Sequence, residues 1–165
     1  MAVDHSFDVV SKVNLQEVRN AIQQAQKEIA TRFDFRGSSA SVTFEESPAA
    51  LKVTGDHHVQ LRSVVEVVEG KLGKRGVPLK AFAWSPPEQL PGGSMKQQAT
   101  LQQGLSSEKA REITKAIKDL GIKVQARIDG DSVRVASKQI DALQAVIQAL
   151  RQRDFSMPIQ VENYR

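Results

Sequence analysis

The segment Leu51–Val65 (LKVTGDHHVQLRSVV) matches Val133–Ile147 (VRVASKQIDALQAVI) without a gap. Val53, Leu61 and Val64 are identical to the residues at positions 135, 143 and 146. In both copies a short alternating strand runs into an amphipathic helix, and an apolar strand preceded by proline follows. One structural unit is therefore present twice, and this duplication predicts the architecture before any functional motif is considered.

The segments around the two copies complete the same order of elements in each. Apolar residues spaced three and four apart predict the helices, and alternation predicts the strands. Asn14, three residues before Glu17, predicts a capped helix start, and Asp56 and Ser106 are predicted to cap later helices. The predicted order is β-α-β-β-α-β twice, with strands at Phe7–Val13, Ser41–Glu46, Leu51–Thr54, Leu79–Trp84, Met95–Gln103, Lys123–Asp129, Ser132–Ala136 and Pro158–Tyr164.

This order predicts an α+β protein built from two ferredoxin-like β-α-β-β-α-β sandwiches. Each sandwich has an antiparallel sheet with two helices on one face, which leaves the other face free to bind a ligand. The Pro- and Gly-rich stretch 86–94 predicts a linker or long loop between a first unit at 1–85 and a second at 95–165. Alternation leaves open whether the first strands are exchanged between the units, and the contiguous arrangement is the simpler one.

Composition limits the class of protein. The chain has 165 residues, 40% of them hydrophobic, which is enough to bury one core or two small ones. A net charge of +4 permits an anionic ligand without requiring one. The absence of cysteine excludes thiolate catalysis and Cys-ligated metal. The sequence shows no apolar signal segment and no membrane-spanning run, so we expect a cytoplasmic protein that has no membrane partner.

Several blocks of the sequence, in order, resemble the bacterial YajQ family over nearly the whole chain. The most specific are Thr31–Gly37 (TRFDFRG) and Lys123–Ile128 (KVQARI), and Phe7–Val13 (FDVVSKV) and Asp141–Val146 (DALQAV) add to the match. The resemblance implies two ferredoxin-like units and binding of a nucleotide, with cyclic di-GMP, GTP and RNA as candidate ligands. It also implies a regulatory role that involves a transcription-related protein.

The segment Thr31–Gly37 carries two arginines and two phenylalanines at the end of a helix. Arg32 and Arg36 are predicted to pair with phosphate oxygens while Phe33 or Phe35 stacks on a base, and we assign Phe35 to the site. Burial of the rings beneath the helix is the alternative.

Two further pairs of residues are candidates for binding. Trp84 shares the strand parity of Lys80, and an exposed Trp beside a Lys offers a stacking platform for guanine; a contact between the two units is the alternative. Arg127 and Arg134 lie at outward positions of neighbouring strands, among glutamines. Phosphate contacts and readout of base edges are predicted there, with an ordinary solvated sheet face as the alternative.

Other patterns argue against catalysis and metal binding. Gly70–Gly76 lacks the spacing of a phosphate-binding loop and ends a helix, so its lysines are predicted to complement that helix end. Leu51–Thr54 and Val133–Ala136 contain no aromatics, which argues against base stacking of the kind seen in RNA-recognition motifs. His57 and His58 have no second cluster of metal ligands. We therefore predict no catalytic residue, no metal site and no cofactor.

The sequence thus favours a non-enzymatic protein that binds a nucleotide or RNA. The predicted site residues are Arg32, Phe35, Arg36, Lys80, Trp84, Arg127 and Arg134. The rival hypothesis is a protein-interaction module that docks partners on the polar sheet faces. Salt separates the two hypotheses, because phosphate-driven binding weakens steeply as salt rises whereas apolar docking does not.

Overall fold

The computed structural model describes residues 4–155 and 157–165, and it confirms an α+β fold of two ferredoxin-like units. Two antiparallel sheets each carry two of the helices. The helices are α1 (Leu15–Thr31), α2 (His58–Lys74), α3 (Ser107–Asp119) and α4 (Ile140–Gln152). The strands are β1 (His5–Val10), β2 (Ser41–Glu46), β3 (Ala49–Gly55), β4 (Phe82–Trp84), β5 (Glu88–Gln89), β6 (Met95–Leu101), β7 (Gln125–Asp129), β8 (Ser132–Ser137) and β9 (Gln160–Glu162).

The strands β1 and β6 each pair in the sheet of the other repeat. β1 lies between β8 and β9 in a sheet of order β7-β8-β1-β9, and β6 lies between β3 and β4 in a sheet of order β2-β3-β6-β4. The chain divides accordingly into a split unit, which is the segment ending at Lys12 together with Gln103–Arg165, and an inserted unit, Val13–Gln102. The predicted boundaries at residues 85 and 95, which would make each unit contiguous in sequence, therefore differ from the boundaries of these two units. Alternation determines which face of a strand is buried, not which strand lies beside it.

The Pro-rich stretch predicted as a linker lies within the inserted unit. β5 pairs with β6 through Glu88 opposite Lys96 and Gln89 opposite Met95. The Leu90 amide donates to the Ser94 carbonyl at 2.7 Å, which closes the turn between the two strands. This stretch therefore connects strands of one sheet.

The core of the inserted unit lies between its sheet and the apolar stripes of α1 and α2. Asn14 caps α1 as predicted, since its Oδ1 accepts from the amides of Gln16 at 3.0 Å and Glu17 at 3.3 Å. The cap of α2 differs from the prediction: His57 Nδ1, not Asp56, accepts from the amide of Gln60, at 3.2 Å. The fully buried residues of this core include Val18, Val42, Leu51, Val53, Leu61, Val64, Leu72 and Ala99.

The core of the split unit lies between α3, α4 and the second sheet. Ser106 caps α3 as predicted, with its hydroxyl accepting from the amide of Lys109 at 3.2 Å. The chain leaves α3 through Gly121, whose φ of +67° is the left-handed conformation that favours glycine just beyond a helix end. The core residues include Phe7, Val9, Ile113, Ile117, Val133, Val135, Leu143 and Val146.

Candidate functional site

The segment after α1 turns its two phenylalanines in opposite directions. α1 ends at Thr31, and Phe33–Phe35 forms a single 3₁₀ turn. Phe35 is 3% exposed and belongs to the core of the inserted unit, whereas Phe33 is 86% exposed. The structure corrects the assignment of Phe35 to the site, because a ring buried in the core has no face to offer a base. Phe33 is the ring that solvent or a ligand can reach.

Phe33 and Arg36 are both exposed at this turn. The Arg36 amide donates to the Phe33 carbonyl at 3.3 Å, which joins the two residues across the turn. Arg36 is exposed and makes no ion pair with any residue that the structure describes. Arg36 lines a cavity of about 450 Å³ together with Ile29, Gly37, Ser38 and the buried Phe35, and Phe33 lies outside this lining. An aromatic face, a free guanidinium and a cavity therefore lie within one short segment.

Arg32 is already engaged by its neighbours. Its Nε lies 2.8 Å from Asp34 Oδ1, and its Nη1 lies 3.7 Å from Glu28 Oε2. Its guanidinium carbon lies 4.8 Å from the centroid of the Phe35 ring. These contacts compensate the charge of Arg32 and stabilise the turn. Arg32 is therefore less available than Arg36 to pair with a phosphate group.

The aromatics of β4 face the core. Leu79–Ala81 forms a 3₁₀ turn, and the strand covers only Phe82–Trp84. Trp84 is opposite buried Ala99 and Phe82 is opposite buried Leu101, and both rings pack against the core of the inserted unit. The outward parity assigned to Trp84 is therefore corrected, and its partly buried ring does not stand on the free face. Lys80 is exposed in the turn and lies outside the strand.

Arg127 and Arg134 are brought together on the outer face of the split unit. They lie directly opposite each other on β7 and β8, and Asp8 of β1 is opposite Arg134 on the other side. The Arg134 Nε donates to Asp8 Oδ1 at 3.0 Å, and the Asn163 Nδ2 donates to Asp8 Oδ2 at 2.9 Å. The hydrogen bond from Arg134 is the main cause that lowers the pKa of Asp8, although burial opposes it.

The two arginines of this face are therefore not equivalent. Asp8 in turn raises the pKa of Arg134 and compensates its charge. Arg127 is exposed and has no ion pair among the described residues. Both lie in the split unit, whereas Arg32, Arg36, Lys80 and Trp84 lie in the inserted unit.

The outer face of the inserted unit is polar and without aromatics on its described central strands. Thr43, Lys52 and Gln98 form one exposed row across β2, β3 and β6. Lys52 pairs with Glu45 at 3.0 Å. The described central strands therefore present no ring for base stacking of the kind seen in RNA-recognition motifs.

The basic end of α2 packs against α1 through ion pairs. Lys71 Nζ lies 3.2 Å from Glu28 Oε1, and Arg75 Nη1 lies 3.6 Å from Glu17 Oε2. Lys71 and Arg75, two of the cations of Gly70–Gly76, are therefore neutralised by glutamates of α1 and need no phosphate group. The described residues contain no group of three or more His, Asp or Glu side chains that could hold a metal ion. Within the same residues, no helix is both long and apolar enough to cross a bilayer.

Comparison with known proteins gives one consistent result over both units. The family model described as "Nucleotide-binding protein YajQ-like" matches residues 5–165. A protein of Alkaliphilus oremlandii named as a nucleotide-binding protein is 46% identical over 165 residues, which is 100% of each chain. A similarly named protein of Desulforamulus reducens is 44% identical over 100% of this chain and 99% of its own. Another, from Koribacter versatilis, is 45% identical over 98% of each chain.

Proposed function

Because this chain belongs to the YajQ-like family of nucleotide-binding proteins, we propose that it binds a nucleotide without turning it over, at the Phe33 site. The Phe33 site consists of Phe33, Arg36 and the cavity that Arg36 lines with Ile29, Gly37 and Ser38. The observation that carries the proposal is the 86% exposure of Phe33, three residues before an exposed arginine that forms no ion pair with the described residues.

Each part of the Phe33 site matches one part of a nucleotide. A base stacked on an exposed ring gains about 1–3 kcal/mol, and an arginine pairs with phosphate oxygens through two parallel hydrogen bonds. The neighbouring cavity of about 450 Å³ falls within the usual size of small-ligand sites. One ring and one free guanidinium support recognition of one base and one phosphate group at a time.

Cyclic di-GMP, GTP and single-stranded RNA all present such a base and phosphate. A mononucleotide would fill the site alone, whereas RNA would place one of its nucleotides there and extend along the surface. Further phosphate contacts make RNA binding depend more steeply on salt than mononucleotide binding does. Affinity and its salt dependence therefore rank the three ligands.

Calorimetry of the purified chain against cyclic di-GMP, GTP and a short RNA, at about 50 and 200 mM salt, tests the proposal. We expect saturable binding of at least one ligand, and Phe33→Ala should weaken it by about tenfold or more. Arg36→Ala should weaken it and reduce its salt dependence, whereas Arg111→Ala, on exposed α3 surface, should leave both unchanged. If none of the three ligands binds, or if Arg111→Ala weakens binding as much as Arg36→Ala does, the assignment is wrong.

A protein-interaction role is the second candidate, and the apolar exposure near α2 favours it. Val59 in the first turn of α2 is 70% exposed, and Gln60 Nε2 donates to the Asp34 carbonyl at 3.4 Å, so α2 begins beside the turn of Phe33. Two exposed apolar side chains in this region suit a protein partner, such as a transcription-related protein that the nucleotide would displace from Phe33.

Phe33→Leu separates the two candidates. Leucine keeps apolar area and removes the aromatic face, so base stacking should be lost while apolar docking should be largely retained. Nucleotide binding that survives Phe33→Leu unchanged would contradict the stacking role of Phe33.

A further inference from the structure

A second cavity lies in the split unit, where β8 leads into α4. Its volume is about 410 Å³, and its lining includes Lys123, Gln125, Ala136, Lys138 and Gln139. Both lysines are exposed, and neither forms an ion pair with a residue that the structure describes. Asp4 also lines the cavity, so the charged side chains around it sum to +1.

The duplicated sequence supplies an internal comparison for this cavity. Thr54 corresponds to Ala136 in the repeat, and the register places Ser41 opposite Thr54 and Gln125 opposite Ala136. Two residues before these strand positions stand Ser39 and Lys123, which are therefore equivalent. On the other side, Asp56 and Lys138 follow Thr54 and Ala136 by two residues and are equivalent as well.

In the inserted unit these two positions are Ser39 and Asp56, which are joined by hydrogen bonds. The amide and the hydroxyl of Ser39 both donate to Asp56 Oδ1, at 2.9 and 2.7 Å. The Thr54 hydroxyl donates to the Ser39 carbonyl at 2.6 Å. A carboxylate with its donors thus occupies this place in the first copy.

In the split unit the same pair of positions is two lysines. The Ser137 hydroxyl donates to the Lys123 carbonyl at 3.0 Å, which keeps residue 123 beside the end of β8 as residue 39 is kept beside the end of β3. Two lysine charges beside one cavity repel each other unless an anion lies between them. The second copy therefore has two cations at the positions that hold Ser39 and Asp56 in the first copy, and Asp4 is the acidic side chain beside them.

The two copies also differ in the residues at the junction of strand and helix. A Cβ at Gly55 would lie 2.8 Å from the amide nitrogen of Leu61, so only glycine allows α2 to approach β3 this closely. Ser137 takes the place of Gly55 and carries that Cβ. Ala136 in place of Thr54 further removes side-chain volume from the cavity wall.

We propose that the cavity between Lys123 and Lys138 binds the phosphate or diphosphate group of a small anion, in the place that the Asp56 carboxylate takes in the other unit. The two ammonium groups pair with phosphate oxygens, and the side-chain amides of Gln125 and Gln139 can bind the rest of the ligand. Inorganic phosphates and the phosphate end of a nucleotide share this chemistry. The site is separate from the Phe33 site and does not depend on it.

Titration of the full chain with inorganic pyrophosphate at about 50 mM salt, followed by calorimetry, tests this site. We expect saturable binding that weakens at least about tenfold in Lys138→Asp. The double variant Lys123→Ser, Lys138→Asp restores the residue types of the first copy, and it should abolish binding while the fold is retained by circular dichroism. Lys115→Asp makes the same charge change on exposed α3 and should bind pyrophosphate within about twofold of the parent chain.

Parallel titrations with GTP identify the source of the phosphate. Loss of GTP binding in Lys138→Asp assigns the cavity to a nucleotide, whereas loss of pyrophosphate binding alone assigns it to free phosphates. Phe33→Ala should leave pyrophosphate binding intact, so failure of the Phe33 site is distinguishable from failure of this one. No pyrophosphate binding by the parent chain, or equal weakening in Lys115→Asp, would overturn the proposal.

Discussion

Asp8 keeps its charge at a position where its side chain is only 10% exposed. Arg134 and Asn163 compensate the loss of water by donating to its two oxygens. The lowered pKa of Asp8 means that the folded state holds the carboxylate form more strongly than the unfolded state does. The resulting stabilisation is present above the ordinary carboxyl pKa and is lost as pH falls through the lower folded value.

Asp8→Asn should therefore reduce stability by about 1–3 kcal/mol near neutral pH, because it removes a charge-assisted hydrogen bond. The difference from the parent chain should shrink below about pH 4, where the unfolded chain takes up a proton at Asp8 before the folded protein does. Urea unfolding measured at several pH values checks this expectation. Asp119→Asn, at the exposed end of α3, is the matched control, and a difference for Asp8→Asn that stays constant from pH 7 to about pH 2 would contradict the linkage.

The two phenylalanines of the Phe33–Phe35 turn should respond in opposite ways to truncation. Phe35→Ala removes a ring from the core and should reduce the free energy of unfolding by about 3–5 kcal/mol. Phe33→Ala removes an exposed ring and should change it by less than about 0.5 kcal/mol. Chemical denaturation of both variants checks the contrast, and similar losses in the two would refute the burial assigned to them.

At the scale of the element, periodicity predicted all four helices and the two repeats because each helix buries one stripe and each strand alternates. It misplaced Trp84 because the 3₁₀ turn at Leu79–Ala81 changes the phase before β4 begins: Ala81 and Phe82 are adjacent and both buried. The choice between Phe33 and Phe35 failed for the same reason, since a single 3₁₀ turn has no long period to detect. Lys123 and Lys138 line one cavity because the register of β7 and β8 brings them to it, and the composition of the chain does not reveal that register.

The junction of β3 and α2 gives a prediction at this scale. Gly55→Ala should destabilise the inserted unit by about 1–3 kcal/mol, because its Cβ would meet backbone atoms of Leu61 that cannot move independently. Gly70→Ala, on the exposed face of α2 with nothing within 4 Å of its added Cβ, should stabilise by about 0.5–1 kcal/mol. Thermal unfolding of both variants checks the signs, and stabilisation by Gly55→Ala would show that the junction has room to spare.

At the scale of the whole molecule, the fold class followed from the duplication, whereas the exchange of β1 and β6 did not. Both arrangements bury the same faces of the same strands, so the hydrophobic pattern is identical in each. The distinction is energetic and lies in the strand pairs, such as Phe7 opposite Val135 and Val53 opposite Gln97. These pairs make the inserted unit continuous in sequence and the split unit discontinuous.

A chain of residues 13–102 should therefore fold by itself with a cooperative transition, because it contains every strand of its sheet. A chain of residues 1–85 should not, because it lacks β6 and carries β1 without β8 and β9. Circular dichroism and urea unfolding of the two fragments compare them directly. Cooperative unfolding of the 1–85 fragment would mean that β1 can replace β6.

The pairing of β1 with β8 and β9 also determines the order in which the two units can fold during synthesis on the ribosome. β1 leaves the exit tunnel before β8 and β9, its partners in the sheet, and Arg134, which pairs with Asp8, is made 126 residues after it. Val13–Gln102 contains all its own partners and can close while β1 still waits with both edges unpaired, since domains generally fold as they are made. Phe7 and Val9 are fully buried in the folded protein but have no partner strand during that interval, so we expect β1 to need protection from other chains until β8 and β9 are made.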